Sequence, residues 1–278
     1  LVHKTHDPAV VVCDEGGRFA ISLVSGHVGG ANTLARSVAT ITGGQPVITT
    51  ATDVNQVPAI DLIATGSRLA IENPAAIKTV NMALITGDPI HVHDPYGKVV
   101  PHLPPNQVLP FEDKGIDQDG AAVFIDHLHL DLSPHVLILR PASLVAGMGC
   151  NRGADEREMR DLLERTFAAN HLCVSSLRYL ASVDLKADEP GLLALAESLN
   201  VEIVFFTREQ LNTVTRVPTP SAMVEKHLGV KSVCEAAALL ATNRGRLIVP
   251  KQKTADVTLA VAADAYTSSV SAPATRST

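Results

Sequence analysis

The chain has 278 residues, of which 46% are hydrophobic and 19% charged, and its formal net charge is −6 at pH 7. This length allows two or three domains with separate cores, and the composition is that of a globular protein. Three Tyr, six Phe and no Trp, together with the negative charge, exclude a basic or base-stacking nucleic-acid surface. An acidic ligand would need local cations and backbone amides.

Cysteine usage and hydropathy predict a cytoplasmic protein. The four cysteines are far apart and form no CxxC pair, which argues against a zinc ribbon or a disulfide framework. No apolar run approaches about 18 residues and no signal peptide is present, so no membrane partner is expected. The chain does not begin with Met and enters a strand almost at once, so we expect a preceding N-terminal segment.

The first region, residues 1–57, alternates strand and helix. Residues 9–23 predict two strands joined by a tight turn at Gly16-Gly17. Apolar residues then recur at helical spacing over 30–41, and 46–50 predict a short buried strand. This strand–helix–strand order predicts the C-terminal part of an N-terminal α/β domain.

Residues 58–141 differ in composition and predict a small mixed α/β middle domain. Two short helices are expected within 59–87, the second opened by Asn73-Pro74. A segment rich in Pro and turn residues follows. Residues 121–141 alternate in a manner typical of an antiparallel or edge strand.

Residues 142–262 alternate strands and helices again and predict a C-terminal α/β domain. The expected elements include a helix over "SAMVEKHLG" (221–229) and a final strand pair in "GRLIVPKQKTADVTLAVA". Residues 263–278 are rich in Ser, Thr and Ala and are expected to be a disordered tail.

The corner "VSGHVGGAN" is a candidate ligand site. Glycines allow backbone amides to approach a ligand, and the start of a helix favours an anion. His27 titrates in the range of general acid–base catalysis, and Ser25, two residues earlier, could orient a carboxylate or water on the same strand face. The alternative is a tight turn in which the histidine only caps the backbone.

The stretch "AGMGCNRGAD" (146–155) is a second glycine loop. Its GxGxxxG spacing departs from the dinucleotide fingerprint, and Asp184 is poorly spaced to bind a ribose. An anion-binding loop that includes Arg152 is the alternative. Downstream, Lys186 could pair with an acidic ligand, and Glu189 could act as a base or simply begin the next helix.

Two histidine-rich stretches, "HVHD" (91–94) and "DHLHLD" (126–131), could supply metal ligands from one strand face. Polar alternation along an edge strand explains both equally well, and neither pair has a clear third ligand. We therefore predict no metal site.

The assembled motifs resemble the CbiG-type cobalamin biosynthesis proteins, the cobalt-precorrin-5A hydrolases. The motifs are "GRFAISLVSGHVGGANTLARSVA", "PVITTATDVN", "VAGMGCNRGADEREM", "LASVDLKADEPGLLALAE", "FFTREQL" and "VPTPSAMVEKHLGVKSVCEAAALLA". They occur in the family's order and cover nearly the whole chain except the tail, with the middle region the weakest match.

The resemblance implies a hydrolase that opens the δ-lactone of cobalt-precorrin-5A and expels acetaldehyde to give cobalt-precorrin-5B. Such a reaction needs a general base, oxyanion donors and groups that bind the carboxylate arms of the macrocycle. Cobalt arrives within the tetrapyrrole substrate, so no cofactor is expected. A homodimer or an association with other enzymes of the pathway is compatible with the sequence.

Site roles then follow from residue chemistry and are hypotheses. The two glycine loops are expected to line the pocket, with His27 as the base, Ser25 orienting it and Glu189 as a second candidate base. The expected substrate-binding residues are Gly26, Gly29, Gly30, Asn32, Gly147, Gly149, Arg152 and Lys186.

Two alternatives remain. The C-terminal domain alone resembles a stand-alone protein of the aerobic pathway that binds intermediates, so the chain could be a non-catalytic tetrapyrrole carrier. A nucleotide-binding α/β protein would need the dinucleotide fingerprint that residues 147–153 lack.

Overall fold

A computed structural model of the chain describes residues 8–111, 120–215, 217–220 and 229–266. Within it the chain forms two compact units. Among the described residues, unit 1 runs to Ile125 and includes Leu132–Leu139, whereas unit 2 comprises Asp126–Asp131 and the residues from Arg140 to Tyr266. Both sides of the predicted boundary at residue 57 therefore belong to unit 1.

Unit 1 begins with a three-stranded sheet covered by one helix. Its elements are β1 (Val10–Cys13), β2 (Phe19–Val24), α1 (Ala31–Thr42) and β3 (Gln45–Val47). The strands lie in the order β1-β2-β3; β1 is antiparallel and β3 parallel to β2. Ala20 of β2 packs against Ala35 and Ala39, so small side chains let α1 approach the sheet closely. The predicted strand–turn–strand–helix–strand order is confirmed, but β3 is mostly exposed and not the buried strand that was predicted.

The second sheet of unit 1 has five strands. Its elements are α2 (Ala51–Val54), α3 (Ile60–Gly66), β4 (Leu69–Ile71), α4 (Ile77–Thr86), β5 (Ile90–His93), β6 (Val108–Pro110), β7 (Ala121–Ile125) and β8 (Val136–Pro141). The strands lie in the order β4-β8-β7-β5-β6, and β5 is parallel to β6 and β7, as β7 is to β8.

The prediction of an antiparallel or edge strand in 121–141 was wrong. Both β7 and β8 are internal, parallel and buried along their whole length. Apart from the buried Arg140 in β8, their residues form continuous apolar runs, which is typical of parallel strands covered on both faces. The alternation that suggested an edge strand falls in residues 127–131, between the two strands.

Unit 2 contains a five-stranded mixed sheet. Its elements are β9 (Leu144–Cys150), α5 (Glu156–Ala169), β10 (Leu177–Val183), α6 (Pro190–Leu199), β11 (Glu202–Phe206), α7 (Arg208–Asn212), α8 (Val233–Leu240), β12 (Arg246–Lys253) and β13 (Val257–Ala263). The order is β11-β10-β9-β13-β12; β9, β10 and β11 are parallel, and β13 is antiparallel to β9 and β12.

Apolar side chains cover both faces of this sheet. On one face, Met148 belongs to a core with Met159 and Phe167 of α5. On the other, Val145 packs in a cluster with Val233 and Ala237 of α8. The predicted α/β class, with alternating strands and helices, is confirmed.

Short 3₁₀ helices span Pro74–Ala76, Val100–His102, Val174–Ser176 and Asp184–Lys186. The helix predicted over 221–229 lies largely outside the described residues, as does the predicted tail beyond Tyr266. Among the described helices, none has the length and apolar character required to cross a bilayer.

Candidate functional site

The corner between β2 and α1 depends on glycine for its shape. The β2 strand ends at Val24, and Ser25 adopts a positive φ of 57°. A side chain on Gly29 would overlap the Cβ of Ser25, and one on Gly26 would lie 2.8 Å from Oδ1 of Asn32. Because the strand stops before Ser25, this residue does not share a strand face with His27 as predicted.

The chain itself uses the first amides of α1. The N–H of Gly30 donates to the carbonyl of His27 (2.9 Å), that of Ala31 to Ser25 (3.0 Å) and that of Asn32 to Gly26 (3.0 Å). The N–H of Gly30 is therefore not the ligand-facing donor that the sequence predicts. The proposed donor roles of Gly26 and Gly29 stay predictions.

His27 lies between two carboxylates. Its Nδ1 is 3.2 Å from Oδ2 of Asp61, in α3, and its Nε2 is 3.0 Å from Oδ2 of Asp53, in α2. The Oγ1 of Thr52 is also 3.0 Å from Nε2. The side chains of His27 and Asp61 are 12% and 13% exposed, whereas that of Asp53 is 28% exposed.

This arrangement favours a protonated imidazole. The hydrogen bond with Asp61 and the charges of both carboxylates raise the pKa of His27 above its ordinary value, against the opposing effect of burial. Burial also opposes ionisation of Asp53 and Asp61, yet hydrogen bonds and the charge of His27 lower the pKa of both carboxyls. A neutral ring has one N–H and one lone pair, whereas an imidazolium donates to both carboxylates.

A polar network fixes the position of Asp53. Its Oδ2 accepts hydrogen bonds from Thr50 Oγ1 (2.7 Å) and Asn32 Nδ2 (3.0 Å), and Oδ1 pairs with Arg36 (3.3 Å). The Oδ1 of Asn32 in turn accepts from the hydroxyl of Ser22 at 2.6 Å. Asn32, which the sequence predicts to bind substrate, is buried and positions the carboxylate.

A cavity of about 560 Å³ opens beside this histidine. His27, Thr52 and Asp53 supply its polar side, and apolar residues of α3 such as Leu62 and Ile63 supply much of the rest. Asp61 does not line the cavity. His27 therefore faces the cavity on the side of Nε2, while Asp61 contacts Nδ1 from behind. This is the relation of a catalytic imidazole to its orienting carboxylate.

Unit 2 brings together three residues predicted from the second glycine loop. Glu189, at the start of α6, is fully buried and accepts a 2.7 Å hydrogen bond from the N–H of Gly153. Its Oε2 is 3.3 Å from Nζ of Lys186 and 3.6 Å from Arg152. Burial opposes its ionisation, but the Gly153 amide and Lys186 lower the pKa of this carboxyl.

Both cationic residues that were predicted to bind substrate already form ion pairs with acidic side chains of the chain. Arg152, whose side chain is largely exposed, pairs with Asp188 at 2.6 Å, and Lys186 pairs with Glu189. A low carboxyl pKa makes Glu189 a weak base and fits an acceptor that ties the glycine loop to α6. The roles of Arg152, Lys186 and Glu189 toward substrate stay predictions.

Gly147 and Gly149 lie against other parts of unit 2. A side chain on Gly147 would overlap the carbonyl of Cys234, in α8, and one on Gly149 would lie 2.7 Å from Oγ1 of Thr258. The close approach predicted at Gly147 is therefore made by α8 rather than by a ligand.

The first histidine-rich stretch, residues 91–94, serves local packing. His93 stacks on Phe124 with ring centroids 4.6 Å apart, and Nδ1 of His91 lies 3.1 Å from the carbonyl of Pro110. Among residues 8–111, 120–215, 217–220 and 229–266, no group of three His, Cys, Asp or Glu side chains is arranged to bind a metal.

Sequence reasoning missed Asp53, Asp61 and Thr52. Asp53 and Thr52 lie in "PVITTATDVN", a stretch that contributes to the family resemblance, so their position beside a glycine corner was a usable signal. Asp61 lies in an unremarkable amphipathic helix, and nothing in its local sequence distinguishes it from a surface carboxylate.

Comparisons with known proteins give a consistent result. Family models match residues 1–53 (Cobalamin synthesis G N-terminal), 58–141 (Cobalamin biosynthesis central region) and 144–262 (Cobalamin synthesis G C-terminus). The C-terminal part is also similar to Protein CobE of Sinorhizobium sp, with 36% identity over 126 residues, covering 45% of this chain and 82% of that protein.

Two longer matches extend over most of the chain. The cobalt-precorrin-5A hydrolase of Priestia megaterium is 32% identical over 278 residues, covering 96% of this chain and 74% of that protein. The cobalt-precorrin-5A hydrolase of Salmonella typhimurium is 35% identical over 268 residues, covering 93% and 76%. The chain therefore belongs to the cobalt-precorrin-5A hydrolase (CbiG) family.

Proposed function

We propose that this chain is a cobalt-precorrin-5A hydrolase of cobalamin biosynthesis, with His27 at its catalytic centre. The observation that carries the proposal is the hydrogen-bonded set Asp53–His27–Asp61 beside a cavity, in a chain similar to such hydrolases over most of its length. Cobalt is part of the tetrapyrrole substrate, so the proposal includes no resident cofactor. A cytoplasmic location, without a nucleic-acid or membrane partner, belongs to the same proposal.

His27 begins the reaction as an acid. Water adds to the lactone carbonyl and loses one proton to solvent, the bond from that carbon to the ring oxygen breaks, and Nε2 of His27 gives its proton to the departing oxygen, which leaves a carboxyl group and an alcohol. Before that step, the same N–H turns from Asp53 to the carbonyl oxygen and stabilises its negative charge. This role replaces the backbone donor expected from Gly30, whose N–H is used within the corner.

The same ring then serves as the base of the second step. Once Nε2 has lost its proton, it can accept the hydroxyl proton of the newly formed alcohol. The carbonyl of acetaldehyde forms, the carbon–carbon bond breaks, and its electron pair stays with the macrocycle. The base predicted from the sequence thus acts after ring opening, and Asp61 holds Nδ1 in both steps.

Release of acetaldehyde from cobalt-precorrin-5A tests the proposal. Wild-type protein should release aldehyde, and His27→Ala should lower the rate by about 10²–10⁴-fold, the usual contribution of a positioned acid–base group. His135→Ala removes an exposed histidine of unit 1 and is the matched control. Undiminished release from His27→Ala would remove His27 from the mechanism.

The carrier alternative rests on the similarity of residues in unit 2 to Protein CobE. A carrier would bind the tetrapyrrole with no aldehyde release from the wild-type chain. The Asp53–His27–Asp61 set lies in unit 1 and favours the hydrolase, since a protein that only binds has no need of a protonated histidine between two carboxylates.

A further inference from the structure

Unit 2 contains a second cavity, of about 260 Å³, that the proposed reaction does not use. Ala263 lines it and pairs with Leu144, at the beginning of β9, whereas Val257 pairs with Cys150, at the end that leads into the glycine loop. The cavity therefore lies at the opposite end of the sheet from the glycine loop.

Two arginines line this cavity without an acidic partner. Neither Arg244 nor Arg246 makes an ion pair with any residue in the described part of the chain. The carboxylate that also lines the cavity, Asp264, is already neutralised: both its oxygens pair with Arg178, at 2.6 and 3.0 Å. Its Oδ1 also accepts the N–H of Asn243 at 2.9 Å. The cavity consequently has an excess of positive charge.

The backbone at Arg244 is in the left-handed conformation. Its φ is +52°, in the left-handed region where Gly and Asn are the ordinary residues. An arginine in this conformation is less stable than either of them.

Two aromatic rings, those of His127 and Tyr266, also line the cavity. The rings of His127 and Tyr266 are stacked, with centroids 6.2 Å apart and planes inclined by 13°. The hydroxyl of Tyr266 lies 3.3 Å from Oδ2 of the buried Asp126. Burial lowers the pKa of His127 more than the charge of Asp126 raises it, and the charges of two arginines lower it further, so the ring is neutral near pH 7. Ile248 adds an aliphatic contact.

We propose that this cavity binds a small organic carboxylate whose charged group contacts Arg244 and Arg246 and whose apolar body lies against His127 and Tyr266. Paired guanidinium groups suit the planar carboxylate, and the ring surfaces favour an organic anion over a bare inorganic one. A volume of about 260 Å³ limits the ligand to a small molecule. This proposal is independent of the hydrolase activity.

Ligand-detected NMR on the full chain, at physiological ionic strength, tests it with three probes. Benzoate should bind saturably at millimolar concentrations. Benzyl alcohol, which has the ring without the charge, and inorganic phosphate, which has charge without an apolar body, should both bind at least about tenfold more weakly. Equal binding of benzyl alcohol would refute the role of the arginines, and equal binding of phosphate would refute the organic ligand.

Variants locate the binding. Arg244→Asn introduces a residue that tolerates the left-handed backbone, so the variant should fold with unchanged or higher thermal stability. Its affinity for benzoate should fall about tenfold. Arg246→Gln should also weaken the binding of benzoate about tenfold. Arg165→Gln, which removes an exposed arginine of α5, is the charge-matched control and should leave binding unchanged. No saturable binding by the wild type, or an equal loss in all three variants, would overturn the proposal.

Discussion

Replacing Asp61 by Asn is the most direct test of the imidazolium at His27. The substitution keeps the size of the side chain and removes its charge, while the neighbouring amide of Asn81 and the cavity lining stay in place. The pKa of His27 should then fall, because Asp61 contributes the largest of the effects that raise it. The aldehyde-releasing activity should be lost at a lower pH than in the wild type.

The cost in stability can be bounded from the structure. His27 and Asp61 are 3.2 Å apart and 12% and 13% exposed, so the pair is mostly but not fully buried. Exposed pairs contribute about 0–1 kcal/mol, and breaking a fully buried pair costs about 3–5 kcal/mol. We expect about 2 kcal/mol for Asp61→Asn near pH 6, which corresponds to a fall of about 4–8 °C in Tm.

The sign of the pH dependence distinguishes this pair from a simple packing effect. A raised histidine pKa contributes stability that is fully present below the unfolded value near 6.5 and is lost as pH rises through the folded pKa. The lowered pKa of Asp61 contributes stability above its unfolded value near 3.8 that is lost at more acidic pH. The difference in free energy of unfolding should therefore be largest between these limits and shrink above the folded pKa of His27.

Denaturant unfolding from pH 4 to pH 9, with histidine titration followed by NMR, measures both effects. Asp14→Asn is the control, since Asp14 accepts only a backbone hydrogen bond from Phe19 in an exposed turn of the same unit. A cost for Asp61→Asn that does not change with pH, or a His27 titration that matches the wild type, would refute an ion pair and leave a neutral contact.

Two further substitutions test the two glycine loops. Gly29→Ala should destabilise unit 1 by about 1–3 kcal/mol in calorimetry, because its methyl group would overlap the Cβ of Ser25; an unchanged Tm would show that the corner is loosely packed. Glu189→Gln should cost about 1–3 kcal/mol at pH 7, since it weakens the acceptor for Gly153 and leaves Lys186 without its buried partner. Because the carboxyl pKa is lowered, that cost should disappear as pH falls through it, and a cost that persists in acid would contradict the ion pair.

Local sequence patterns were sufficient for most of the fold. Apolar spacing located α1 and the strands on either side of it, and the glycine that ends the turn before β2 has the positive φ expected of it. The exception was β7 and β8. Whether these strands are parallel or antiparallel depends on the strands with which they pair. A buried parallel strand and a short buried antiparallel strand have similar apolar sequences, so the local pattern does not distinguish them.

At the candidate site, local sequence was also insufficient to predict how the key residue is paired. Sequence alone identified His27, because a histidine among glycines at a strand-to-helix corner is conspicuous, and the chemistry of an isolated imidazole suggested a base. Its protonation state is decided by Asp61, 34 positions away in the chain, on a helix that belongs to the next sheet. A carboxylate at Nδ1 fixes the tautomer in which a neutral ring would have an accepting Nε2, as in a hydrolase triad, and it also raises the pKa of the ring. The second carboxylate, at Nε2, raises the pKa of His27 further, and this smaller contribution depends on a distance of 3.0 Å to Asp53 that no spacing rule supplies.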